Sequence, residues 1–167
     1  VQLATGHAGT VWALEQAALK VMETGLGSVN AGTDELAILG LGGIGLSTAI
    51  ALRKRLPDLR LHVYDSRPEV LDKARMHLNG SVVYHQSERD IFGATPLIVS
   101  AITGQLDPYS LGDVEGTVVI DDSQPGSVPQ KEFKELGGYV VGVYVDGGEL
   151  TRRNTFDYAG YCAVDPT

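Results

Sequence analysis

Residues 35–45 read Glu-Leu-Ala-Ile-Leu-Gly-Leu-Gly-Gly-Ile-Gly: an apolar strand that runs into Gly40, Gly42 and Gly45 and then into a helical pattern. Each glycine answers a separate physical demand. Gly40 permits a tight turn at the strand end, Gly42 lets another molecule approach the backbone with no side chain between, and Gly45 lets the new helix pack closely on its strand. Gly43 and Ile44 lie at the start of that helix, where free N–H groups and the helix dipole favour negative charge, so phosphate is the expected guest. The motif alone is weak evidence in a chain with 21 glycines among 167 residues. Its surroundings decide its meaning.

A helix over about 43–56 leads to a second strand, Arg60-Leu61-His62-Val63-Tyr64, which ends at Asp65, 20 residues beyond Gly45. A carboxylate at that spacing accepts the ribose hydroxyls of an adenosine, and strand, glycine turn, helix, strand and terminal acid together make a dinucleotide-binding signature. Asp65 also repels a 2′-phosphate, which favours NAD(H) over NADP(H). Arg67 argues the other way, because a guanidinium two residues on can hold a phosphate through two parallel hydrogen bonds. Ser66, between them, completes the cofactor-facing loop and reads as the N-cap of a helix, with Glu69 three residues later, running to about residue 78.

The remaining pattern continues this alternation. A first helix over about 10–24 places Val11, Leu14, Ala18 and Val21 on one side, and a polar linker follows up to residue 34. Short strands are expected over 81–84, 96–101, 117–121 and 139–145, with a weak helix over 129–136. Leu97-Ile98-Val99 and Val118-Val119-Ile120 are apolar throughout, as strands buried on both faces of a parallel sheet are. The expectation is a doubly wound α/β fold with a mostly parallel sheet: residues 1–34 as a helix and linker packed on the core, and 35–167 as one compact domain. In such folds ligands bind beyond the carboxyl ends of the strands. Ala101, Thr103 and Asp121 are therefore expected to share the crevice of Gly40 to Gly45, and the pair Asp121-Asp122 to line its nicotinamide side. Turn and cap chemistry ahead of Pro125-Gly126 is the structural alternative for that pair.

Composition excludes several functions. A formal charge of −8 opposes a nucleic-acid surface, since phosphate backbones need clustered Lys and Arg. No apolar run reaches the ~18 residues of a membrane span, and no signal peptide opens the chain. The lone Cys162 excludes an intrachain disulfide framework and fits a reducing, cytoplasmic setting. No spacing of His, Cys, Asp or Glu reads as a metal site, and no G-x-S-x-G elbow is present. Of the four histidines, His62 within a strand and His77 late in a helix read as structural or exposed, and His85 is ambiguous. His7, in a loop before a helix, is the candidate able to reach a substrate, with a plain surface imidazole as the alternative.

Thr5-Gly6-His7, residues 36–45, Val119 through Pro125 and Val145-Asp146-Gly147-Gly148 together resemble the Rossmann portion of fatty acyl-[acyl-carrier-protein] reductases that form aldehydes. The wider group holds the shikimate dehydrogenase-like and glutamyl-tRNA reductase-like NAD(P) domains. The resemblance covers most of the chain from about residue 4 to Cys162. It implies two-step reduction of an acyl thioester, with Cys162 as nucleophile and a small-molecule or carrier-bound acyl thioester as substrate. The alternative for Cys162 is an inert, partly buried small residue. A homo-oligomer and a neighbouring domain of a longer enzyme are further expectations. A dehydrogenase of the shikimate or amino acid type and a non-catalytic NAD(H)-binding module remain as other functions for the same cofactor domain.

Overall fold

The computed structural model describes residues 6–143. Cys162 and the segment Val145 to Gly148 therefore lie outside the described residues. Helix α1, Gly6–Thr24, begins four residues before the expected start at about residue 10. It buries Ala13, Leu14, Ala17, Ala18, Val21 and Met22, while Val11 is only half-buried and Trp12 faces solvent. Gly25 ends the helix at φ 75°, its N–H bonded to the Val21 carbonyl, a conformation that favours glycine.

Strand β1, Glu35–Leu39, is followed by α2, Gly43–Arg55, and β2, Arg60–Tyr64. Helix α3, Pro68–His77, then leads to β3, Val82–Tyr84. The second half contains α4, Glu88–Phe92, and β4, Leu97–Ser100. A single 3-10 turn, Pro108–Ser110, precedes β5, Val118–Asp121, and then α5, Gln130–Glu135, and β6, Tyr139–Gly142. Among the described residues, six strands pair in parallel in the order β3-β2-β1-β4-β5-β6, the arrangement of a Rossmann fold. The chain thus reverses its direction of growth across the sheet between β1 and β4.

Alternation along each strand divides the core in two. Leu36, Ile38, Leu61, Val63, Val99 and Ile120 face α1, α2 and α3 on one side. Ala37, Leu39, Ile98 and Val119 meet Ile91, Phe92 and Phe133 on the other. Strands buried on both faces carry no polar alternation, and β4 and β5 accordingly have none. Helix α1 belongs to the first layer: it packs on α2, β4 and β5, and its buried Glu15 accepts a hydrogen bond from Arg55 Nε at 2.9 Å.

One local expectation is corrected. Ser66 does not cap α3, whose N-cap is Arg67 with Pro68 in the first turn and no capping side chain. The Arg67 N–H is bonded instead to Asp65 Oδ1, which holds the chain extended for one residue more. His62 takes the structural alternative and is buried, because the second face of β2 is also covered.

Candidate functional site

The three glycines meet different surroundings. Gly40 has φ 88°, and a β-carbon there would stand 2.7 Å from Ile102 Cγ2 and 2.8 Å from the Ala101 carbonyl oxygen. A β-carbon on Gly45 would stand 1.9 Å from the Gly40 carbonyl oxygen, so α2 can lie this close to β1 only over a glycine. Gly42 has φ −62° and ψ −166°, open to any residue, and its β-carbon would meet nothing nearer than Arg67 Nη2 at 3.8 Å. The protein's own packing therefore makes no demand for glycine at position 42. Gly42 is also the N-cap of α2 and no side chain caps that helix, which leaves its first N–H groups facing outward.

Asp65 secures this turn from below. Its Oδ2 accepts the Leu41 N–H at 2.8 Å and Arg67 Nη2 at 3.1 Å, and its Oδ1 accepts the Arg67 N–H and Nε, both at 3.0 Å. Burial alone would push its carboxyl up, but the Arg67 and Leu41 hydrogen bonds outweigh that and hold it below the usual carboxylate range. Four donors fill both oxygens. Ribose hydroxyls can reach Asp65 only if the exposed Arg67 guanidinium swings aside, whereas the Leu41 contact is fixed by the backbone. Ser66 is exposed at the rim.

His7 lies against the same helix end. Its Nε2 is 3.3 Å from Ser47 Oγ, and a β-carbon on Gly43 would stand 3.1 Å from His7 Cε1. Ser47 carries no signal in the sequence, because only the crossing of α1 over α2 brings it to His7, 40 residues away.

Ile44, Ala101 and Thr103 line one cavity of about 220 Å³ with Ile102 and residues 122–125, at the carboxyl ends of β4 and β5. Asp121 does not open into it. Asp121 is 5% exposed; its Oδ1 accepts the Ser123 N–H, and its Oδ2 accepts the Ser127 N–H and hydroxyl. The Ser127 hydroxyl is also 2.7 Å from the buried Ser100 hydroxyl, so Asp121 organises the 121–127 turn. Asp122 is the member of the pair that lines the cavity, and its carboxyl is pushed up by burial and by the neighbouring Asp121 charge. A second hollow of about 370 Å³ shares the wall 123–125 and continues towards Gln105 and Gly142. Among the described residues, no group of three or more His, Cys, Asp and Glu side chains could hold a metal ion. No helix there is long and apolar enough to cross a membrane.

Solved structures of similar fold share this architecture. A dipicolinate synthase chain from Bacillus halodurans superposes with a TM-score of 0.57 at 14% identity, covering 81% of this chain and 47% of that one. L-tryptophan dehydrogenase from Nostoc punctiforme gives 0.55 at 14% identity, covering 80% and 40%, and transhydrogenase from Sinorhizobium meliloti gives 0.54 at 14%, covering 74% and 43%. The chain therefore spans less than half the length of these structures. No family model and no curated protein matches it. At such identities the likeness establishes the Rossmann-type fold, and function rests on the site.

Proposed function

We propose that this chain is the cofactor-binding part of a nicotinamide-dependent oxidoreductase that favours NAD(H) over NADP(H). One observation carries the reading: Gly42 lacks a side chain where neither its backbone angles nor its neighbours require that, beside an uncapped helix N-terminus. A pyrophosphate accounts for the bare backbone. In this reading the first N–H groups of α2, at Gly43, Ile44 and Gly45, hold the phosphates, and His7 and Arg67 flank them. Asp65 receives the adenosine ribose, while Ala101, Thr103 and the 121–125 turn border the reacting half. When bound, the cofactor supplies the hydride chemistry.

The preference for NAD(H) rests on Asp65, which stays where a 2′-phosphate would come, because the Leu41 N–H anchors it independently of Arg67. Calorimetric titration with NADH and NADPH tests the choice, and tighter binding of NADPH would reverse it. For the site itself, Gly42→Val should remain folded and lose at least about tenfold in NADH affinity. Equal affinity would remove the assignment.

For the chemistry, we extend the reading to reduction of a carrier-bound or small-molecule acyl thioester, supported by the sequence resemblance. There a Cys162 thiolate attacks the acyl carbon and expels the carrier thiol, keeping the acyl group on sulfur. A dehydrogenase of the amino acid type is the second reading, supported by the shared fold with L-tryptophan dehydrogenase. NADH oxidation measured with an acyl-thioester panel and with 2-oxo acids plus ammonium separates them. Activity with thioesters that survives Cys162→Ala would end the first reading, and binding without turnover on either panel would leave a cofactor-holding module.

A further inference from the structure

Among the described residues, Asp122 is the only charged one lining the cavity formed by Ile44, Ala101, Ile102, Thr103 and residues 123–125. Among the described residues its carboxylate accepts a hydrogen bond only from its own backbone N–H, whereas its neighbour Asp121 spends both oxygens on the turn. The cavity reaches from the first turn of α2 to the ends of β4 and β5, on the side of the β1/β4 reversal away from Asp65. With the adenosine half at Asp65 and the phosphates at α2, a dinucleotide's other half has this cavity as its nearest room.

We infer that Asp122 faces the nicotinamide ring and makes the site favour the oxidised, cationic ring over the reduced, neutral one. The inference rests on the dinucleotide reading above. The physical basis is that oxidised nicotinamide carries a formal positive charge that the reduced ring lacks. A carboxylate a few ångströms away in a partly dry cavity stabilises only the former. The raised proton affinity of Asp122 agrees with a group withdrawn from water and without an ion-pair partner, and a titration on the alkaline side of neutrality keeps the acid ionised.

The experiment is calorimetric titration at about pH 8 of NAD+, NADH and ADP-ribose into wild type and Asp122→Asn. Asp122→Asn should weaken NAD+ by roughly tenfold and leave NADH and ADP-ribose within about twofold, the size of one screened charge contact. ADP-ribose lacks the ring and reports the adenosine and phosphate grip alone. Intact ADP-ribose binding with an unchanged ratio of NAD+ to NADH affinity overturns the role of Asp122 while sparing the dinucleotide reading. Failure of wild type to bind ADP-ribose or either dinucleotide overturns both. Should Asp122→Asn not fold, Thr103→Lys, at an exposed position on the same cavity, brings a compensating cation and must lower the NAD+ to NADH preference in the same direction; an unchanged preference there overturns the inference.

Discussion

Asp65 shows how one side chain can be read correctly for position and incompletely for contacts. Its place at the end of β2 follows from counting 20 residues past Gly45, but its four donors come from two loops that only the fold brings together. Asp65→Ala should lower stability by about 1.5–3 kcal/mol, because the buried Leu41 N–H loses its acceptor and Arg67 loses its anchor. Urea unfolding at neutral pH reads this directly. The acid dependence has a definite sign: with the folded carboxyl below its ordinary value, its contribution is complete above about pH 4 and disappears as pH falls through the folded value. Asp65→Asn should therefore flatten the acid limb of the stability curve. His7 is the second residue whose placement is only half visible in the sequence. Gly6 and His7 mark a loop by composition, yet α1 already begins there and lays the imidazole on Gly43 and Ser47. His7→Ala should weaken NADH binding by about threefold to tenfold, equivalent to one hydrogen bond of ordinary strength, and leave unfolding unchanged. Wild-type affinity in that variant would assign the imidazole to the surface.

At the level of elements, α2 separates two uses of glycine that look alike in a motif. Gly45→Ala forces a carbon against the Gly40 carbonyl and should cost about 1–3 kcal/mol or more, whereas Gly42→Ala, at an extended and open N-cap, should stay within about 1 kcal/mol. Denaturant midpoints of the two variants make the comparison, and NADH affinity should rank them the other way if the bare backbone at 42 serves a ligand. The β1-α2-β2 unit is legible because its strand, turn and helix each carry a strong local signal. Elements α4 and the Pro108–Ser110 turn are not, being too short for a period to show. Their signals are single caps, the Ser87 hydroxyl accepting the Asp90 N–H and Asp107 Oδ1 accepting the Tyr109 N–H. Asp121 and Asp122 read as one pair because sequence cannot say which of two adjacent acids turns inward; hydrogen bonds from Ser123 and Ser127 decide it.

Across the whole molecule, the parallel sheet follows from continuous apolar strands, but its second face hides a titrating pair. His62 Nδ1 lies 3.0 Å from His85 Nε2 with the rings stacked, so at most one proton is comfortable between them. Burial lowers the proton affinity of both, and for His62 the neighbouring His85 lowers it further while Glu35 restores part of the loss. Below about pH 6.5 the unfolded chain then binds more protons than the folded one, so stability should fall as pH drops from about 7.5 to about 5.5. His85→Gln should flatten that slope, as urea midpoints across the range would show. The reversal between β1 and β4 carries a different consequence. Within the sheet, those two strands are the sole link between the first three strands and the last three, through Ala37 with Ile98, Ile38 with Val99 and Leu39 with Ser100. The exposed turn at Gly93 lies between the halves. Severed there and co-expressed, fragments 1–93 and 94–167 meet along this line, under α1 and where Ile91 and Phe92 pack on Phe133, and a dinucleotide lying across the line would act as a clasp. Added NADH should then raise the yield of the rejoined pair, which turns a feature of topology into a split sensor for its own ligand.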